Sequence, residues 1–515
     1  MISIFAQAIF TLIIVIFLAY AALELRLIFL SKKSQRVPLL EIQSSIEGGV
    51  DPDLNPKASP PSSKLLNEEK WPIVTVLLPV YNESKVIEAL IDAVCAMQYP
   101  RSRFQVLVLD DSTDETTQLA SLKVQQYAKL GIDISVIKRK KRTNYKAGNL
   151  ANGLLFSTGE FLALFDADFL PPVNFLVECI PCFESQEVGY LQTGIGYINR
   201  DHSFLTRFQA MMLGHQQFVT SGLSYEKLMG ALSGSSCVWR RTCVDSLGGW
   251  CGSTVAEDAD IGYRAQFGRW QYVFVRHVVS LSELSESMEA IRIQRHRWAR
   301  GLIHNAFKHL SSFLATGMPL LKRMHAFSLI FSSLLLAAIY VLVLLSLPLA
   351  IYANHLGLYF DFICGSFLLG VIVWASSNFI GAQQANNDVM GKSFISKLIS
   401  MVMYVAMFFP LSLYYFYAGI ELIFTKEYEF KRTPKGASSQ LNRIKEEGKG
   451  GEVHSLSRVL NLLEYFSFFY SVASLGLAIY YQSYWLIPFN AMICLGFGIV
   501  IYYSYLENRN HASAT

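Results

Sequence analysis

Two carboxylates one residue apart, Asp166 and Asp168, follow directly on an apolar run at 161–165 and are themselves followed by Pro171 and Pro172. The run reads as a buried strand that the prolines stop. In open α/β sheets the ligand binds outside the carboxyl ends of the strands, so both acids would stand at the rim of a crevice. Hard divalent cations take oxygen ligands, and Mg2+ or Mn2+ commonly bridges one or two carboxylates to a substrate's phosphates. The pattern therefore points to a metal that holds a diphosphate. An isolated Asp-x-Asp is also a common solvated turn, so the discrimination must come from the rest of the chain.

Other polar groups gather at the same predicted sheet edge. The apolar run 73–78 ends in Pro79-Val80-Tyr81-Asn82-Glu83, and the run 104–109 ends in Asp110-Asp111-Ser112-Thr113-Asp114. A basic turn, 138–146, leads into Ala147-Gly148-Asn149, which opens a helix; helix N-termini and lysines both favour phosphate. Gly234-Ser235-Ser236 is a small-residue turn that would let a sugar approach backbone. Further on come Ala256-Glu257-Asp258, with carboxylates for acid or base work, and Gln294-Arg295-His296-Arg297-Trp298.

The elements that must position these groups follow from pattern. With 52% hydrophobic and 16% charged residues over 515 positions, the chain is too apolar for an ordinary soluble protein and reads as membrane plus soluble domain. A net charge of +4 argues neither for nor against a nucleic-acid partner, and none is expected. Residues 71–311 are the one long stretch of soluble-domain composition. Within it, strands at 73–78, 104–109, 134–137 and 161–165 alternate with helical patterns at 84–97, 113–130 and 147–156. That alternation predicts a mainly parallel sheet covered by helices on both faces. Cys179 and Cys182 lack a second pair at a zinc-site spacing and enclose Pro181, so packed, reduced thiols are expected.

The flanks belong to a bilayer. Residues 2–22 are apolar enough to span it, no basic residue precedes them, and Arg26, Lys32, Lys33 and Arg36 follow, which favours an anchor over a cleaved signal. A Ser-, Pro- and Asn-rich linker occupies 31–70. Five apolar runs follow the domain, at 326–352, 359–380, 398–424, 459–481 and 485–504, ahead of a tail at 507–515. Lys392 and Lys397 precede the third run; Lys426, Lys431, Arg432, Lys435, Arg443, Lys445 and Lys449 follow it. The positive-inside rule puts both flanks in the cytosol, so 398–424 reads as a re-entrant or interfacial helix. That leaves five spans, with the domain and C-terminus inside. The compartment, plasma or inner membrane or Golgi, is open.

Taken in order, Tyr81-Asn82-Glu83, Asp110-Asp111-Ser112, Lys146-Ala147-Gly148-Asn149, Asp166-Ala167-Asp168, Glu257-Asp258 and Gln294-x-x-Arg297-Trp298 resemble the processive family 2 glycosyltransferases: cellulose synthases, cellulose-synthase-like mannan and xyloglucan-backbone synthases, and hyaluronan and chitin synthases. Phe430-x-x-Thr433-Pro434-Lys435-Gly436 is similar to the gating loop of bacterial cellulose synthase, within a cytosolic stretch at 426–450. The resemblance implies a Rossmann-like GT-A domain in the cytosol, and inverting transfer of a hexose from a nucleotide diphosphate sugar, UDP-glucose or GDP-mannose, to a growing β-linked polysaccharide. It implies that Asp110, with Asp111, Tyr81 and Glu83 beside it, contacts the nucleotide, and that Lys146 stands near it. Asp166 and Asp168 would hold Mg2+ or Mn2+ and the diphosphate. Asp258 would be the general base, with Glu257 beside it; Gln294 and Arg297 would line the donor cleft, and Trp298 and Gln192 the acceptor side. Gly234 and Ser235 are candidates for the sugar pocket.

Two departures leave the polymer open. Many cellulose synthases have Thr where this chain has Ala256, and Gln192-Thr193-Gly194-Ile195-Gly196-Tyr197 keeps only the Gln-Thr start of the bacterial pattern. Gln294-x-His296-Arg297-Trp298 and the run 165–169 are closer to the plant mannan synthases. Control by a cyclic-di-GMP-binding domain is not expected. Two other classes compete: transfer of a single sugar to a lipid or other acceptor, and a non-catalytic membrane scaffold, against which the intact carboxylate set argues. Homo-oligomers and accessory subunits are left open.

Overall fold

The structure, a computed structural model, describes residues 2–34, 71–352, 357–385, 394–425 and 451–514. Its soluble domain is built on seven strands: β1 (Val74–Val80), β2 (Phe104–Asp110), β3 (Asp133–Lys138), β4 (Phe161–Leu164), β5 (Val188–Tyr197), β6 (Cys237–Arg240) and β7 (Gln271–Ser282). They stand in the order β3-β2-β1-β4-β6-β5-β7. β1 pairs in parallel with β2 and β4, and β2 with β3, while the short β6 runs antiparallel to β4 and β5. The sheet is thus the expected GT-A type of mainly parallel sheet, with one reversed strand that the alternating pattern did not show.

The central strands are apolar on both faces, as burial under two helical layers requires. Their two-residue period sorts the side chains. Val74, Val76, Leu78, Val106, Val108 and Ala163 pack with Ile87, Leu90 and Ile91 of the Ile87–Cys95 helix. Leu77, Leu107, Leu109, Leu162 and Leu164 pack on the opposite face with Ala147 and Leu150 of the Tyr145–Leu154 helix and Ile261 of the Glu257–Phe267 helix. Register then fixes the site: Val80 stands opposite Asp110, and Leu77 opposite Leu164, so the chain leaves β1, β2 and β4 at one edge.

Among the described residues, six helices are long and apolar enough to cross a membrane: Gln7–Ser34, Ser332–Ile351, Phe362–Gln383, Ile395–Phe424, Ser455–Tyr480 and Leu486–Arg509. The first helix runs to Ser34, past the apolar run, because its polar end packs on the domain. Glu24 meets His215, the guanidinium of Arg26 meets His325, and a side chain on Gly222 would strike Ser31. The Phe394–Phe424 helix is continuous through Pro410 and Gly419, so the re-entrant reversal expected from sequence is not formed. It is also the most enclosed of the six: 67% of its apolar window is buried in protein, against 28–44% for the others. All the cysteines are free. The linker, the turn around Asn354 and the loop at 426–450 lie outside the described residues.

Candidate active site

Lys146, in the first turn of the Tyr145–Leu154 helix, stands at the centre of the site. Its ammonium nitrogen lies 2.6 Å from Asp166 Oδ1, 3.6 Å from Glu257 Oε1, and 2.9 Å from the backbone oxygen of Gly234, to which it donates. Burial alone would lower its pKa, but Asp166, Glu257 and Asp258 override that and hold it charged, above the usual lysine range.

The two acids of the Asp-x-Asp pair are held differently. The backbone N–H of Asp166 donates to Ser235 Oγ at 2.9 Å, which ties it to the Gly234-Ser235-Ser236 turn. Asp168 Oδ2 accepts from the hydroxyl of Ser282, at the end of β7, at 2.6 Å. Among the described residues no cluster of three or more His, Cys, Asp or Glu could hold a metal. Two carboxylates alone fit a hard divalent ion that completes its shell with diphosphate oxygens and water.

Glu257 and Asp258 open the Glu257–Phe267 helix. Burial pushes the carboxyl of Glu257 up to about 7 against the pull of Lys146, and the charge of Asp258 adds to the rise. Burial raises Asp258 as well, again opposed by Lys146. Asp258 Oδ1 accepts from the backbone N–H of Ala259 at 2.8 Å. The neighbouring Asp260 is wholly buried between Arg264, Lys308 and His309, which fastens this helix to the C-terminal end of the Met288–Lys308 helix. That helix also touches Ala256: Asn305 Nδ2 donates to its backbone oxygen at 2.8 Å, and a β-carbon on Gly301 would lie 2.7 Å from its Cβ. Trp298 and Arg297 precede Gly301 by three and four residues and Gln294 precedes Trp298 by four, so they lie on the same side of the helix as Gly301.

The residues expected to contact the nucleotide already have partners within the chain. The carboxylate of Asp110 is fully buried: Oδ1 accepts from the N–H of Ser112 and Oδ2 from the hydroxyl of Thr117, with Lys138 at 3.5 Å. Asp111 is held by the two-pronged donation of Arg139, at 2.7 and 2.6 Å. Neither offers an exposed oxygen, so donor contact by either requires these partners to move. Glu83 contributes its backbone oxygen, which accepts from Val86 and Ile87. Tyr81 is covered by the guanidinium of Arg142, 3.4 Å from its ring centroid. Gln192 lies under the Gly234-Ser235-Ser236 turn. It is 2% exposed, its amide donates to the backbone oxygens of Ser235 and Ser236, and its oxygen accepts from Ser233, so it supports the turn. Arg139, Arg142 and Ser282 were not singled out by sequence; the basic turn signals the first two only once Asp111 is seen beside it.

Residues 72–301 match the family described as glycosyltransferase like family 2. Together with the sheet, this defines the class of the soluble domain: residues 72–301 are similar to the family 2 glycosyltransferases, on a GT-A type of mainly parallel sheet. Among its relatives is glucomannan 4-beta-mannosyltransferase 1 of Cyamopsis tetragonoloba, 36% identical over 271 residues, 51% of either chain. Another is a probable glucomannan 4-beta-mannosyltransferase 6 of Oryza sativa subsp. japonica, 37% identical over 238 residues, 45% of this chain and 41% of that one. The chain thus spans about half the length of the curated relatives it matches. A mannosyltransferase from Pyrobaculum calidifontis, solved in complex with GDP-Man and Mn2+, superposes with a TM-score of 0.49 at 18% identity, over 82% of this chain and all of that one.

Proposed function

We propose that the chain is a membrane-embedded inverting glycosyltransferase that moves a hexose from a nucleotide diphosphate sugar to a growing β-linked polysaccharide and extrudes the product through its own membrane helices. The observation that carries this reading is the position of Lys146. One ammonium joins the acid assigned to the diphosphate, Asp166, to the acid pair assigned to the acceptor, Glu257 and Asp258.

Asp166 and Asp168 would hold Mg2+ or Mn2+, which when bound neutralises charge on the leaving diphosphate. Lys146 is poised to exchange Asp166 for those oxygens, and Arg297 offers a planar fork to the same group. Asp258 takes the proton of the acceptor hydroxyl, with its basicity raised by burial and shared with Glu257. Inversion needs one displacement, so one base suffices and no covalent nucleophile is required. Trp298 offers a flat face to the acceptor sugar.

The names of the curated relatives favour a mannosyl donor. The enclosure of Phe394–Phe424 along the Met288–Lys308 helix supports an interfacial placement, with the other five long helices crossing and the domain in the cytosol. The test is nucleotide release by the purified chain with Mn2+ or Mg2+, offering GDP-mannose and UDP-glucose separately. The reading expects release from at least one donor, abolished by chelation of the metal. Release that persists in chelator contradicts the assignment of Asp166 and Asp168.

A further inference from the structure

A third carboxylate, Asp260, shares the first turn of the Glu257–Phe267 helix with Glu257 and Asp258. Residues two apart on a helix do not face each other, so Asp260 points elsewhere than Asp258, which abuts Gly234. It is wholly buried among cations. Its Oδ2 accepts from Arg264 Nε at 2.8 Å, its Oδ1 accepts from the ammonium of Lys308, and His309 Nε2 stands 2.9 Å from the same Oδ1. Burial alone would raise its carboxyl, but His309, Lys308 and Arg264 hold it well below the usual carboxylate range, so it stays charged.

These cations come from both sides of a joint. Arg264 lies on the same helix and donates onward to the backbone oxygens of Leu247 and Gly249, at 2.7 and 2.9 Å. Lys308 and His309 stand at the end of the Met288–Lys308 helix, which carries Gln294, Arg297 and Trp298. Lys308 also donates to the hydroxyl of Ser253 at 2.6 Å. Asn305 and Gly301 meet Ala256 from the same helix. The segment that ends in Glu257 and Asp258 is thus clamped along the last two turns of the other helix. A buried ion pair spends much of its attraction on desolvation and adds little stability. What it fixes is the placement of the elements it joins.

We propose that Asp260 is a positioning residue for the transfer: through Lys308 and His309 it sets the carboxyls of Glu257 and Asp258 against the Met288–Lys308 helix and against Lys146. This rests on the reading of Asp258 as the base. Such a base must stand within hydrogen-bond reach of the proton it takes, so the joint acts on the rate through geometry.

The test uses the full chain in detergent with Mn2+ and the donor it turns over, and measures nucleotide release against pH. Asp260→Asn, which keeps the shape and removes the charge, is expected to lower kcat about tenfold to a hundredfold, the scale of a misplaced catalytic group, with KM for the donor little changed. Its acid limb should move to higher pH, because a looser helix carries Glu257 and Asp258 away from the ammonium of Lys146. Lys308→Met should show both effects, and Lys308→Arg, which keeps the charge, should recover most of the loss. Lys308 is partly exposed, so this pair carries the test if Asp260→Asn does not fold. An unchanged kcat in Asp260→Asn or Lys308→Met overturns the proposal. So does a lower kcat with the acid limb unmoved, which a smaller folded fraction alone would give. Turnover retained by Asp258→Asn overturns instead the reading of the base on which the proposal stands.

Discussion

Gly234 leaves no room for a side chain against Asp258. A β-carbon built on it would lie 2.5 Å from Asp258 Oδ2 and 3.0 Å from its Cβ, at a φ of +73° that other residues rarely adopt. The turn that receives Lys146 and the acid assigned as base are thus set by one close approach. Gly234→Ala must displace Asp258, and a misplacement on the order of 1 Å can lower the rate about a hundredfold. Steady-state kinetics should show that loss in kcat, with a folded protein by size exclusion. Near-normal turnover would mean that Asp258 is not the base or tolerates movement.

The pH response follows from the acid pair. Glu257 is held near 7 and Asp258 above its ordinary value, while Lys146 pulls both down. A base works deprotonated, so kcat/KM should rise with pH through the neutral range. Lys146→Met removes the downward pull, and the acid limb should move to higher pH. For stability the sign is the reverse: the folded state holds a proton on Glu257 that the unfolded chain releases near 4.5, so this group's contribution falls as pH climbs from there through about 7. A pH–rate profile of both proteins checks the first claim; a limb that moves down in Lys146→Met contradicts it.

The domain is bolted to the membrane helices by Arg292 and Glu464, both buried, with the Tyr414 hydroxyl donating to the same carboxylate at 2.6 Å. Removing one partner leaves an uncompensated buried charge, at a cost of about 3–5 kcal/mol. Glu464→Ala should therefore lower the unfolding midpoint in detergent far more than Asp245→Ala, which removes the exposed partner of Arg241. Equal shifts would remove the anchor from the account.

Gln192 separates two roles by which constant moves. Its amide holds the Ser233–Ser236 turn, so Gln192→Ala leaves buried backbone groups unpaired, at about 1–3 kcal/mol, and disturbs the site through Ser235 and Lys146. Donor KM should rise and acceptor KM should not. A rise confined to the acceptor would restore the role that the sequence assigned to it.

How much of this was legible depended on locality. The two-residue period of β1, β2 and β4 and the polar residues at their ends are properties of short segments, so the sheet edge and its carboxylates could be read directly. The four-residue β6 carries no such period, and its reversal comes from the path of the chain after the Phe204–Tyr225 helix. The fork of Arg139 on Asp111, the bond from Ser282 to Asp168 and the grip of Arg292 on Glu464 join residues 28, 114 and 172 positions apart, and no local pattern encodes them. Lysines on both flanks of 398–424 argued for a re-entrant or an interfacial helix, a choice that charge alone could not make; Pro410 is accommodated inside a continuous helix, which leaves the interfacial form of that reading.

The central claim is best tested by the product. The purified chain, given Mn2+ and the donor it turns over, should form a β-linked polysaccharide that a linkage-specific glycanase degrades, and Asp258→Asn should form none while remaining folded. Donor turnover that yields only single-sugar adducts, or polymer still made by Asp258→Asn, would contradict it.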